Sequence, residues 1–147
     1  MKVIANVVKE PGEKNYSCLL EVKAVKGTVL GRGSSATAAI EDMLEGWKET
    51  AEYLRDEGKE VPKLEIEYRF DVGSLFNYYC FINIAGVARE IGVNPSVMRQ
   101  YAIGIRKPSE ERKALIMAGL KSIARKMQDA VLYLSLIHIS EPTRRVV

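Results

Sequence analysis

Residues 84–109 read "IAGVAREIGVNPSVMRQYAIGIRKPS", and their pattern decides how the second half of the chain folds. An apolar helical spacing stops at Gly92, resumes two residues later and runs out in a basic loop. The first piece is predicted to be a helix over 84–91, with Val87 and Ala88 packed inward and Ile91 closing it. Gly92 stands where a tight turn needs positive φ, which is free for glycine and costs a residue with a β-carbon about 1 kcal/mol. Val93 fills the angle that follows, and Asn94 is placed to cap a second helix over 95–102. Pro95 suits its first turn, because the missing N–H would be unpaired there anyway. Ala88, Gly92, Val93, Met98 and Tyr101 thus occupy the small, turn and core positions of a helix-turn-helix scaffold. One continuous helix would bury the same side chains, but it would have no N-terminal end to offer a nucleic-acid groove.

The polar residues of this segment are expected to divide into two roles. Ser96, Arg99 and Gln100 project from the outer face of the second helix. Arginine matches guanine O6 and N7 with two hydrogen bonds, and glutamine matches adenine N6 and N7 in the same way, so these three are the expected base readers. Arg89, Arg106, Lys107 and Ser109 are expected to hold phosphates, which fixes register without reading sequence. The run "DVGSLFNYYCF", 71–81, is predicted to supply a preceding helix with Phe76 and Tyr79 in the core. A following helix, "EERKALIMAGLKSIARKM" and onward to near Tyr133, carries Leu115, Ile116, Leu120, Ile123 and Met127 as an apolar stripe. One recognition helix covers few base pairs, so a homodimer or higher homo-oligomer is expected. Leu120, Ile123 and Met127, continued by Val131, are its expected interface.

The chain is electrically split. Residues 34–60 hold eight acidic side chains against three basic ones, whereas residues 84–127 hold nine basic against three acidic. A solvated face accounts for the first block; the second points to a polyanion, because its charges lie inside a folded scaffold and not on a tail.

The first half has a different grammar. "KVIANVVKE" and "NYSCLLEVK" are β-rich runs joined through the turn residues of "PGEKN", and "GTVLGRG" makes a third strand. Ser34 and Ser35 offer a hydroxyl cap to a helix in which Ala39, Ile40, Met43, Leu44, Trp47, Ala51 and Leu54 form the apolar face, ending near Gly58. In "LEIEYRF", Leu64, Ile66, Tyr68 and Phe70 alternate with charged residues, the mark of a half-buried strand. The predicted fold class is therefore α+β: a β-β-β-α-β domain over 1–70, then an all-α helix-turn-helix domain over 71–133.

Two resemblances sharpen this reading. The order of motifs over 1–70 resembles the HicB antitoxin family: Gly33-Ser34-Ser35 at the helix start, Ala39 within the helix, and Glu57-Gly58-Lys59-Glu60-Val61-Pro62 at its acidic exit. The family's Pro-Gly-Cys element before the third strand is replaced here by "KAVKGT". Val87 to Ser109 resembles the repressor and Cro class, through Gly92-Val93, Pro95-Ser96, Tyr101 and the Gly104, Arg106, Pro108, Ser109 series. The first resemblance implies a truncated ribonuclease-H-like fold without nuclease chemistry, whose partner is a HicA-type mRNA-cleaving toxin. The two together imply an antitoxin that also represses its own operon by binding operator DNA. The competing expectation is a stand-alone helix-turn-helix regulator with a ligand- or protein-binding N-terminal domain.

Enzymatic function is not expected. A two-metal nuclease needs carboxylates converging on its cations, and the first three strands bring only Glu10, Glu13 and Glu21, two of them flanking the turn. "GRGSS" lacks the Gly-Lys-Ser/Thr ending of a phosphate loop. No catalytic residue, metal or cofactor is assigned. Cys18 and Cys80 stand apart from each other and from any histidine, and are expected to be small buried apolar residues. No apolar run approaches the roughly 20 residues that span a bilayer, and no signal segment precedes the first strand, so a cytoplasmic protein with no membrane partner is expected. Residues 134–147, "LSLIHISEPTRRVV", contain the single histidine, His138, and have no periodicity that joins them to the domain. They read as translated sequencing-adapter read-through and are expected to be non-native.

Overall fold

The computed structural model of the chain describes residues 1–134. Apart from Leu134, the tail expected to be non-native, His138 included, lies outside the described residues. Those residues form a mixed α and β fold, one four-stranded sheet with five α-helices. They divide into two compact units, residues 1–109 and the chain from Glu110 on.

Strand β1 (Lys2–Val8) buries every second side chain, Val3, Ala5 and Val7. It pairs antiparallel with β2 (Tyr16–Val22), whose Cys18 and Leu20 stand opposite Val7 and Ala5. β3 (Gly27–Gly33) adds antiparallel to β2. The link between them is a single 3-10 turn, Lys23–Val25, closed by Lys26 at φ 52°, a left-handed conformation the sequence gives no sign of. Helix α1 (Ala36–Asp56) begins where the Ser35 hydroxyl accepts the N–H of Ala38 at 3.0 Å. It lies so close on β3 that a β-carbon at Gly31 would sit 2.3 Å from both the Ala39 carbonyl oxygen and the Met43 nitrogen. The glycines of "GRG" are therefore a seat for the helix backbone.

β4 (Glu65–Phe70) runs parallel to β1 and completes the order β3-β2-β1-β4, with α1 as the crossover. Leu64, Ile66, Tyr68 and Phe70 pack against the core, as their alternation predicts. Leu44 departs from expectation: it is 40% exposed, because the buried stripe of α1 runs through Ala36, Ala39, Ile40, Met43, Ala51 and Leu54 and leaves Leu44 on its flank.

Helix α2 (Val72–Tyr78) starts at Asp71, whose carboxylate accepts the Ser74 N–H at 2.8 Å. It stops short of the expected 81. Phe76 is buried as predicted, but Tyr79 and Cys80 are exposed. Tyr79 instead meets Tyr78 and Phe81 edge to face and Phe70 at a tilt, in a chain of rings with centroids 4.9–6.2 Å apart. Once the helix ends, its spacing no longer carries residues 79–81 to the core. Helices α3 (Ile84–Ile91) and α4 (Pro95–Ile103) follow at the predicted places.

The second unit contains α5 (Glu110–Gln128). It ends before the expected Tyr133: Val131, Leu132 and Tyr133 lie outside the helix and are 85–92% exposed. With no face packed on a neighbour these residues gain no tertiary support for helix, and Asp129 beyond the last turn is a poor helix former. Of its expected apolar stripe Ile116 is buried, Leu120 and Ile123 are half-buried, and Leu115 and Met127 are exposed. Among the described residues no helix is long and apolar enough to cross a membrane.

Candidate nucleic-acid interface

The geometry of residues 83–109 follows from three capping devices. The Asn83 side chain accepts the Gly86 N–H at 2.9 Å and starts α3. Gly92 ends it at φ 85°, and Val93, donating its N–H to the Ala88 carbonyl at 2.9 Å, turns inward to 3% exposure. The Asn94 side chain then accepts the N–H groups of Ser96 and Val97, at 2.8 and 3.3 Å, and α4 begins at Pro95. Only two residues, Val93 and Asn94, separate the C-cap of one helix from the first residue of the next. Ala88, Val93, Met98 and Tyr101 are all buried, so the angle between the helices is held by packing as well as by the turn.

With Met98 and Tyr101 fixed inward, helical spacing fixes what faces out. Ser96 and Arg99 are exposed, and Gln100, on the same side, is half-buried. One residue of this face went unnoticed in the sequence: Ile103, 70% exposed, lies seven positions from Ser96 and four from Arg99. Ile105, in the loop beyond, is 71% exposed. The signal was available, since a β-branched apolar residue beside "GIRKPS" has no helical partner to pack on. Gly104, at φ 85°, closes α4 by donating its N–H to the Gln100 and Tyr101 carbonyls, and so turns the basic loop away from the helix axis.

No family model, curated protein or solved structure matches this chain. Arg89, Arg106 and Lys107 are exposed, as is Ser109. With Arg99 they make four basic residues against one acidic, Glu90, over 84–109. The outer face of α4 thus sets polar, cationic and apolar side chains next to a cationic loop, hydrogen-bond donors beside positive charges that could meet base edges and phosphates.

Burial pushes the Cys18 thiol up to about 11, and burial is the main cause that raises Tyr16 and Tyr68, helped by Asp71 near Tyr16. Among the described residues no three His, Cys, Asp or Glu side chains converge as metal ligands. Glu10, Glu13 and Glu21 are exposed on or beside the first hairpin.

Proposed function

We propose that this chain is a HicB-type antitoxin and repressor, whose 71–133 segment binds operator DNA as a helix-turn-helix and whose first 70 residues bind and neutralise a HicA-type mRNA-cleaving toxin. The observation that carries the DNA half is the α3, Gly92, α4 arrangement, with Ser96, Arg99 and Ile103 exposed on one side of α4 and Arg106 and Lys107 in the loop that follows. A short second helix entering the major groove by its N-terminal end suits this pattern. Arg99 reads a guanine, Ile103 meets a thymine methyl group, and Arg89, Arg106, Lys107 and Ser109 fix the phosphates.

The toxin-binding half is supported by the order of elements: an antiparallel β1-β2-β3 meander, one crossover helix and a parallel fourth strand. That arrangement is compatible with the truncated ribonuclease-H-like fold implied by the resemblance. Two copies joined along α5 through Leu120, Ile123 and Met127 would read a two-fold operator. A gel-shift titration against the DNA upstream of the chain's own gene tests the repressor half: binding at least tenfold tighter than to random DNA is expected, and equal affinity sinks it. Co-expression with the short open frame beside that gene tests the other half. The expected result is relief of growth arrest and a co-purifying complex; arrest that persists undiminished rejects the antitoxin role.

A further inference from the structure

The two edges of the sheet are treated differently. At the β3 edge the backbone N–H of Arg32 donates to the Asp42 carboxylate at 2.9 Å, so a side chain of α1 occupies a position that an added strand would need. At the β4 edge no comparable contact is made among the described residues. Glu65 and Asp71 donate their backbone N–H groups to β1, at the Met1 and Val7 carbonyls, which fixes the parity of the strand. The N–H and C=O groups of Ile66, Tyr68 and Phe70 therefore point away from β1. Among the described residues no backbone hydrogen bond meets them on that side. An unpaired edge of this kind is a template for another strand.

The side chains indicate which strand fits. Along β4 the two signs of charge alternate with apolar residues on opposite faces, and Arg69 bridges Glu67 of its own strand at 2.6 Å with both side chains about 60% exposed (61% and 63%). We propose that β4 pairs antiparallel with β4 of a second copy, about a two-fold axis at Tyr68, to make one continuous sheet across two chains. The outward-pointing groups allow only registers that set even-numbered residues opposite even-numbered ones. Among these, the register about Tyr68 sets Arg69 opposite Glu67 of the second copy and Glu67 opposite its Arg69, closing a ring of four alternating charges. On the helix side it sets Ile66 opposite Phe70, and the two Tyr68 rings face each other. Opposite charges and aromatic with β-branched pairs are the favourable cross-strand combinations. The chain's own strand is thus complementary to this edge at Glu67 and Arg69; at the end of the register Glu65 comes opposite Asp71, whose carboxylate is already held by the Lys9 and Ser74 N–H groups. The pairing is independent of the DNA reading, and it uses a different unit from α5.

Cross-linking within the full chain tests the register. In a Cys80→Ser background, which removes the exposed native thiol, Glu67→Cys and Arg69→Cys are prepared separately, mixed in equal amounts and mildly oxidised. Directly opposed residues lie within disulfide reach, whereas the new thiols in two copies of the same variant are offset by two residues and lie beyond it. The mixture is expected to give several times more covalent dimer on a non-reducing gel than either variant alone; an equal yield overturns the proposal. Charge reversal supplies a second measurement that needs no oxidation. Glu67→Arg and Arg69→Glu should each weaken self-association by roughly tenfold, and mixing them should restore it. Since both side chains are exposed, neither exchange disturbs the core, and self-association unaffected by either reversal also overturns the proposal.

Discussion

The side-chain oxygen of Asn77 accepts the backbone N–H of Ala36 at 2.7 Å, although 41 residues separate them. Asn77 thereby serves the first turn of α1 together with Ser35, and ties α2 to the sheet unit. Asp71 adds a second tie, accepting the Lys9 N–H at 3.1 Å. Asn77→Ala should destabilise the chain by about 1 kcal/mol, with Asn77→Asp recovering most of it, read from urea midpoints at constant slope. A fragment 1–79 should melt above a fragment 1–70 for the same reason. Equal melting temperatures would mean that the α2 contacts contribute nothing.

Gly31→Ala is expected to be the more damaging of two glycine exchanges. Its β-carbon would meet helix backbone at 2.3 Å, which cannot rotate aside, so a loss of about 3 kcal/mol is expected as β3 and α1 separate. Gly92→Ala meets no atom within 4 Å and is strained only by its φ of 85°, a cost of about 1 kcal/mol. Thermal unfolding of the two variants ranks them directly.

The two thiols should behave as opposites. Cys80 is exposed and should react with a disulfide reagent at once at pH 8, while the buried Cys18 should react only on unfolding. Because the Cys18 thiol is raised to about 11 from 9.0, the unfolded chain loses its proton first as pH rises. The stabilisation from a neutral buried thiol is complete below pH 9 and is lost between pH 9 and 11. Cys18→Ala should flatten that part of the stability curve.

On DNA, Arg99→Ala should cost roughly 1–3 kcal/mol and relax preference at one position, while Lys107→Ala should weaken all sequences alike and lower the salt slope by about 1. Ile103→Ser should lose affinity chiefly for sites carrying thymine beneath it. Gln100→Ala, at a half-buried position, should have a smaller effect than Arg99→Ala. Titrations at two salt concentrations separate these outcomes.

Pairing through α5 predicts that Ile123→Asp with Met127→Asp removes two-fold protection of the operator in footprinting and weakens binding at least tenfold. Protection unchanged by the double exchange would remove this helix as the interface.

Local patterns were enough for the elements whose signals are local. Strict alternation placed β4, the Gly92-Val93-Asn94-Pro95 series placed the bend between α3 and α4, and Ser35 placed the start of α1. Each is a matter of backbone conformation and hydrogen bonds within a few residues, which sequence writes directly. Where a residue's fate depends on what lies across from it, the sequence was silent or misleading. Tyr79 and Cys80 look like core but fall outside because α2 ends at Tyr78, and Leu44 lies just off the stripe that the sheet covers. Val131 to Tyr133 continue an apolar spacing without any helix to display it. The partnership of Asn77 with Ala36, the blocked edge of β3 and the open edge of β4 came only from the tertiary structure. They are relations between distant segments, and no period along the chain encodes which backbone groups are left without a neighbour once the sheet has closed on its helix.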